Sequence, residues 1–237
     1  MGCVEDHAMV LGEYTITVDA LIKVDLGYKK FEIYASPRDL EYLVKGLGAL
    51  EGKAVEVIEV KAREEVLVRG RIVGELEVKV TDGRVSWSEV VKAVRGLYSV
   101  APKSVCPLAV HLGGVYVWEN GYKLRRVFMD VSRHSLALKM AGYLTEVGGR
   151  VPLASLSARI SGDAARALAS GGYKILASFH HPLLSTMRAV GESGVTLVGK
   201  NSKNQLSVIA NPQRIEGYEG PSIKVRRTKY KVMGDTC

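Results

Sequence analysis

Between residues 114 and 210 the hydrophobic period switches repeatedly between two and 3.6, and this switching limits the possible folds more than any other feature. Short apolar runs at 152–157, 173–179, 195–199 and 205–210 read as strands. The segments between the first three and before them, 134–147, 161–170 and 182–192, read as helices. Strands so short and so apolar must be covered on both faces, so the order predicts an α/β unit with a sheet between two helical layers. Ahead of it, GVYVW (114–118) and KLRRVFMD (123–130) flank Glu119-Asn120-Gly121. Asn-Gly between two β-prone runs predicts a hairpin.

The first hundred residues follow a different pattern. YTITVDALIKV (14–24) and KKFEIYA (29–35) read as strands. Ser36-Pro37 then predicts a helix start, with Ser36 as N-cap and Pro37 at the first helical position. Leu40, Leu43, Val44 and Leu47 continue that helix, while Gly46 and Gly48 weaken its end and Gly52 stops it. Alternation returns at 54–62 and over a long run, 65–80, expected to bend at Gly70 or Gly74. Ser86 and Glu89 form a capping box that opens a helix reaching about Tyr98. A connection punctuated by proline, 99–107, separates the two patterns. The expected organisation is a β-rich α+β part over 1–105, an α/β core over 106–215 and a basic tail over 216–237.

Charge is distributed unevenly. Residues 1–80 hold 11 basic and 15 acidic side chains, residues 81–150 hold 10 and 5, and residues 151–237 hold 12 and 5. The net charge of +8 therefore belongs to the last two thirds, where it suits an anionic partner or simply serves solubility. No apolar run is long enough to span a bilayer, and the start of the chain lacks the pattern of a signal peptide. Three cysteines, Cys3, Cys106 and Cys237, are too few for a disulfide framework, so a reducing cytoplasmic setting is expected.

Two junctions carry the densest polar chemistry. Asp130, Ser132, Arg133 and His134 lie between a predicted strand and a helix start; Ser157, Arg159 and Ser161 repeat that arrangement one unit later. Ligands of α/β folds bind at the carboxyl ends of strands, and helix N-termini offer free N–H groups to anions. Arg133 could clasp a phosphate and His134 could donate to one. Alternatively, Ser132 and Ser161 only cap their helices and Asp130 pairs with Arg133. Gly113-Gly114 either allows a ligand close to the backbone or makes a tight turn. His180-His181, with His111 and His134, raises the idea of a metal, but the spacing fits no zinc signature and none is expected. Cys106 precedes Pro107; it is either an inert thiol or one activated by Lys103 or His111. P-loop, GxGxxG, GxSxG and CxxC patterns are absent.

The ordered set of segments over roughly 30–215 resembles the FdhD family, the formate dehydrogenase accessory sulfurtransferases. Asp130-Val131-Ser132-Arg133-His134-Ser135 is similar to that family's Asp-Val-Gly-Arg-His-Asn, Leu112-Gly113-Gly114 to its Thr-Gly-Gly, and Ser157-Ala158-Arg159-Ile160-Ser161 to its Ser-Gly-Arg-x-Ser. Gly171 to Leu176, Gly194 to Gly199 and Asn211 to Ile215 follow in the family's order, and Ser36 to Leu40 and Leu50-Glu51-Gly52 resemble its N-terminal segments.

The resemblance implies a cytidine-deaminase-like core, a homodimer, and a pocket for a molybdopterin guanine dinucleotide cofactor carrying molybdenum or tungsten, of which GDP is a partial mimic. It also implies sulfur relay from a cysteine desulfurase to that cofactor, for a molybdenum or tungsten oxidoreductase such as formate dehydrogenase. On this basis Gly113, Gly114, Asp130, Ser132, Arg133, His134, Ser157, Arg159 and Ser161 are the expected cofactor-binding residues, and Cys106 the expected sulfur carrier.

The chain departs from the pattern at several points. The family's Cys-Gly-x-Cys-Gly loop is replaced by Thr81 to Trp87, without cysteine. Its Ser-Ala-Pro-Thr is His180-His181-Pro182-Leu183, and its Gly-Phe is Gly199-Lys200. A non-catalytic cofactor carrier is therefore the alternative. A nucleic-acid module using the basic tail ranks last, since aromatics are only 7% and no RNA-binding motif is present.

Overall fold

The computed structural model describes residues 8–11, 14–62, 65–100 and 110–223. The first part contains β1 (Ala8–Leu11), β2 (Tyr14–Thr17), β3 (Ala20–Asp25), β4 (Lys30–Ala35), helix α1 (Leu40–Leu50), β5 (Lys53–Ala62) and β6 (Val66–Glu75). Two short strands, β7 (Val80–Thr81) and β8 (Val85–Ser86), lead into α2 (Trp87–Ser99). The remainder contains β9 (His111–Trp118), β10 (Tyr122–Asp130), α3 (Arg133–Val147), β11 (Gly149–Arg150), β12 (Leu153–Leu156), α4 (Gly162–Ser170), β13 (Ile175–Ser178), α5 (Leu184–Ser193), β14 (Thr196–Lys200), β15 (Leu206–Ala210) and β16 (Ile215–Glu216).

The central sheet has the order β10-β9-β12-β13-β14-β15. Strands β12, β13 and β14 run parallel, while β9 is antiparallel to both its neighbours and β15 to β14. Asn120 and Gly121 close the β9–β10 hairpin at positive φ, as the Asn-Gly signal requires. Alternation decides which side of the sheet each residue faces. Val115, Val117, Phe128, Ala154, Leu156, Leu176 and Leu197 pack with α3, α4 and α5. Tyr116, Leu153, Ile175, Ala177, Val198 and Val208 pack with Val90, Ala93 and Val94 of α2. Helices therefore cover both faces, as the apolar strands demand.

A second sheet, β4-β3-β6-β5, buries Ile22, Val24, Val66 and Val68 in the same core as Leu43, Val44 and Leu47 of α1. Helix α1 in turn lies against α3 at backbone distance. A Cβ on Gly46 would stand 2.0 Å from the Leu138 carbonyl oxygen, and one on Gly142 would stand 2.0 Å from that of Tyr42. Gly46 and Gly48 are thus interior positions of α1, not its fraying end; the chain turns at Gly52, φ +68°.

Two other expectations shift. Helix α1 starts at Leu40, with Asp39 at the N-cap and no side-chain cap, because Ser36 is fully buried and engaged elsewhere. The run 65–80 stops at Glu75, and β5 and β6 slip register twice, near Gly74 and Gly70. At the α2 N-terminus, Ser86 Oγ accepts the Glu89 N–H (3.4 Å), but Glu89 does not close the box. Its carboxylate accepts the Tyr122 N–H of the hairpin instead, at 3.1 Å.

Candidate functional site

Strand directions bring the predicted junctions together. Because β9 is antiparallel to β10 and β12, its first residue, His111, lies on the same edge as the ends of β10, β12 and β13. His111 pairs with Asp130 across the hairpin. Ser157 N–H donates to the Leu112 carbonyl (2.9 Å), and the Leu112 N–H donates to Ser157 Oγ (2.8 Å). His180 Nε2 lies 2.8 Å from the Ser157 carbonyl oxygen. A carbonyl only accepts, so Nε2 carries a proton, and in the neutral ring Nδ1 is left as an acceptor. Burial depresses the His111 pKa, and the positive charge of Arg133 lowers it further, with Asp130 opposing.

Several expected ligand residues are engaged within the protein. Asp130 is fully buried. Its carboxylate accepts N–H bonds from Ser132 (2.8 Å) and Ser36 (3.3 Å) and forms an ion pair with the equally buried Lys139. Lys139 also donates to the Ser36 carbonyl oxygen at 2.9 Å, and the Val131 N–H donates to Ser36 Oγ at 3.3 Å. The partner of Asp130 is therefore Lys139 rather than Arg133. Ser132 Oγ caps α3 by accepting the Ser135 N–H (3.4 Å), and Ser161 Oγ caps α4 by accepting that of Ala164 (3.3 Å). Gly113 and Gly114 are buried against helices on opposite faces. A Cβ on Gly113 would meet Met140 Sδ at 2.3 Å, and one on Gly114 would meet Leu97 at 3.2 Å. Their lack of a side chain is filled by protein.

What remains at the edge is cationic. Arg133 is half-buried, His134 and Arg159 are exposed, and none has a side-chain hydrogen bond or ion pair among the described residues. Cys106 lies outside the described residues. Among the described residues, no group of three or more His, Cys, Asp or Glu could hold a metal ion.

On the α2 side of this edge opens a groove of about 580 Å³, lined by Arg95, Tyr98, Ser157, Phe179, His180 and Lys200. Of these, only Ser157 was an expected site residue. Lys200 ends β14 and Phe179 follows β13, so the strand-end rule that singles out Asp130 and Ser157 points to them as well. Arg95 and Tyr98 carry no such signal, since they sit on the polar side of an amphipathic helix.

The stretch from Thr81 to Trp87 is tied down at both ends. Val80 and Thr81 pair with Gly149 and Arg150, and Val85 and Ser86 pair with Ile215 and Glu216. Between them, both carboxylate oxygens of Asp82 accept from Arg214 at 2.7 Å.

No protein-family model matches this sequence, and no curated protein matches it. Among solved structures, the chain is similar to a crystal structure described as a "putative formate dehydrogenase accessory protein" from Desulfotalea psychrophila. Identity is 21%, the TM-score is 0.66, and the match covers 88% of this chain and 96% of that one. The two share a fold. Among the described residues no helix is long and apolar enough to cross a membrane.

Proposed function

We propose that this chain is an FdhD-like accessory protein. In this reading it binds a molybdopterin guanine dinucleotide-type cofactor on a cytidine-deaminase-like core and assists its delivery to a formate dehydrogenase-like molybdenum or tungsten enzyme. One observation carries the proposal: Arg133, His134 and Arg159 stand on one sheet edge, beside the N-termini of α3 and α4, with no side-chain hydrogen bond or ion pair among the described residues. Cations and helix-start N–H groups are the donor set a pyrophosphate needs; those of α3 would serve, because Gly162 and Ala164 of α4 already donate to Ser185 and Ser161. The shared fold with a protein described as a formate dehydrogenase accessory protein supports the same reading. The bound cofactor would supply the redox centre of the recipient enzyme. The residues of this chain would hold and orient its anionic part.

Sulfur relay has weaker support than carriage. A relay needs a thiol that can swing between donor and acceptor, and the segment 80–86 is cysteine-free and paired on both sides. That favours a carrier without sulfurtransferase chemistry as the second reading. Calorimetric titration of GDP at fixed salt tests the cofactor site directly. Wild type should bind, and Arg133→Ala should weaken binding by about tenfold or more, the worth of a charge-assisted bond to phosphate. Equal affinity in both proteins would remove Arg133 from the site, and absence of binding by wild type would overturn the cofactor reading.

A further inference from the structure

Strand β5 is one end of the second sheet, with β6 as its single strand neighbour among the described residues. Its far edge makes no backbone hydrogen bond to another element among those residues. An unpaired edge ten residues long is a template for a further strand. The strand holds no proline, and near its middle Ile58 and Val60 are 56% and 51% exposed, so apolar surface lines the edge.

A bulge at Ile58 changes what this edge can pair with. Val57 lies opposite Gly70 and Glu59 opposite Arg69, which leaves Ile58 as the extra residue. Opposite residues share a face of the sheet, and one extra residue reverses the faces that follow it. Val57 packs on the core, and Val60 lies opposite the fully buried Val68. These two valines therefore share the inner face although they are three positions apart. Glu56 and Lys61 share the outer face, where they pair with Arg71 and Glu59. Read inward from its two ends, the strand presents Glu56 then Val57, and Lys61 then Val60, face for face.

We infer that β5 is an interaction surface for a second copy of this chain, paired antiparallel about a two-fold axis between Ile58 and Glu59. In that register Val57 meets the partner subunit's Val60 on the inner face, and Glu56 meets the partner subunit's Lys61 on the outer face. Each contact occurs twice, as a two-fold interface requires. β-Branched and opposite-charge pairs are favourable cross-strand neighbours. An unbulged strand could not pair in this way, because an axis between two residues would set inner faces against outer ones. Two four-stranded sheets become one of eight, with Ile58 of each copy at the axis. Strand β5 lies outside every segment that resembles FdhD, and the inference is independent of the cofactor reading.

Sedimentation equilibrium of the full chain tests this, with a thermal melt of each variant to confirm folding. Wild type should show a reversible, concentration-dependent association. Ile58→Lys, which sets two lysines at the axis, should abolish that step. Glu56→Lys and Lys61→Glu each set like charges opposite one another at two places and should weaken it by about tenfold. The double variant Glu56→Lys, Lys61→Glu restores both opposite-charge pairs and should recover the wild-type constant. Ile58 is exposed, so its variant reads the interface even where a charge reversal disturbs the fold. A monomeric wild type, or an association that Ile58→Lys leaves unchanged, overturns the inference. Single reversals without effect, or without recovery in the double variant, overturn the pairing.

Discussion

Lys139 is the least expected residue of the site. It lies on α3 with no solvent exposure, beside an equally buried Asp130. Removing two charges from water is costly, and the pair is tolerable because each partner is also hydrogen-bonded, Asp130 by two backbone N–H groups and Lys139 by the Ser36 carbonyl. The pair fixes the end of β10 to α3 and to the start of the α1 connection. It also occupies the carboxylate that would otherwise neutralise Arg133. Lys139→Met strands a buried carboxylate and should cost about 3–5 kcal/mol in urea unfolding, whereas the double variant Asp130→Asn, Lys139→Met should recover much of that loss. An equal loss in single and double variants would show that the pair is not what holds this corner.

The close contact between α1 and α3 decides how the two sheets are joined. Gly46 and Gly142 each occupy a space where a Cβ would strike the other helix's backbone, and backbone cannot swing aside as a side chain can. Gly46→Ala and Gly142→Ala should each lower stability by at least about 2 kcal/mol, although alanine is the better helix former. Because the two sites share one contact, the double variant should cost less than the sum, as a melting series would report. This contact also explains a misreading. In an isolated segment Gly46 and Gly48 read as helix weakeners, and only their neighbours make them packing residues, α3 for Gly46 and strand β5 for Gly48. The core elements were legible because each is short, periodic and punctuated: the hairpin at Asn120-Gly121, the capped starts at Ser132 and Ser161, and the strand ends that hold Ser157. The start of α1 was not, since Ser36 is drawn into a polar cluster with Asp130 and Lys139, residues far along the chain. Nor was the groove. Its aromatic and basic residues come from two strand ends and one helix, and no local pattern links Arg95 to Lys200.

At the scale of the molecule, the segment 80–86 stitches the two ends of the core. Arg214 holds the Asp82 carboxyl below the usual carboxylate range, chiefly through its hydrogen bonds and secondarily through the Gly83 N–H and charge. A carboxylate depressed in the folded state contributes stability above its unfolded pKa of about 3.8, and that contribution is lost as pH falls through the depressed value. Arg214→Ala should therefore be less stable than wild type near neutrality, and the gap should close below about pH 4. Urea midpoints across the acid range measure this, and a constant gap would show that Arg214 acts through its bond to the Gly194 carbonyl instead.

Asp82 and Arg214 are 132 positions apart, and the pairing of Val85 with Ile215 spans nearly the same interval. Joining them means closing a very large loop, so little of this stitch can form until most of the chain is available. On a ribosome, which releases the chain from its N-terminus, Val80 and Thr81 find Gly149 and Arg150 midway, but Asp82, Val85 and Ser86 must wait for the last strand of the core. Maturation of the core therefore ends where its sequence begins.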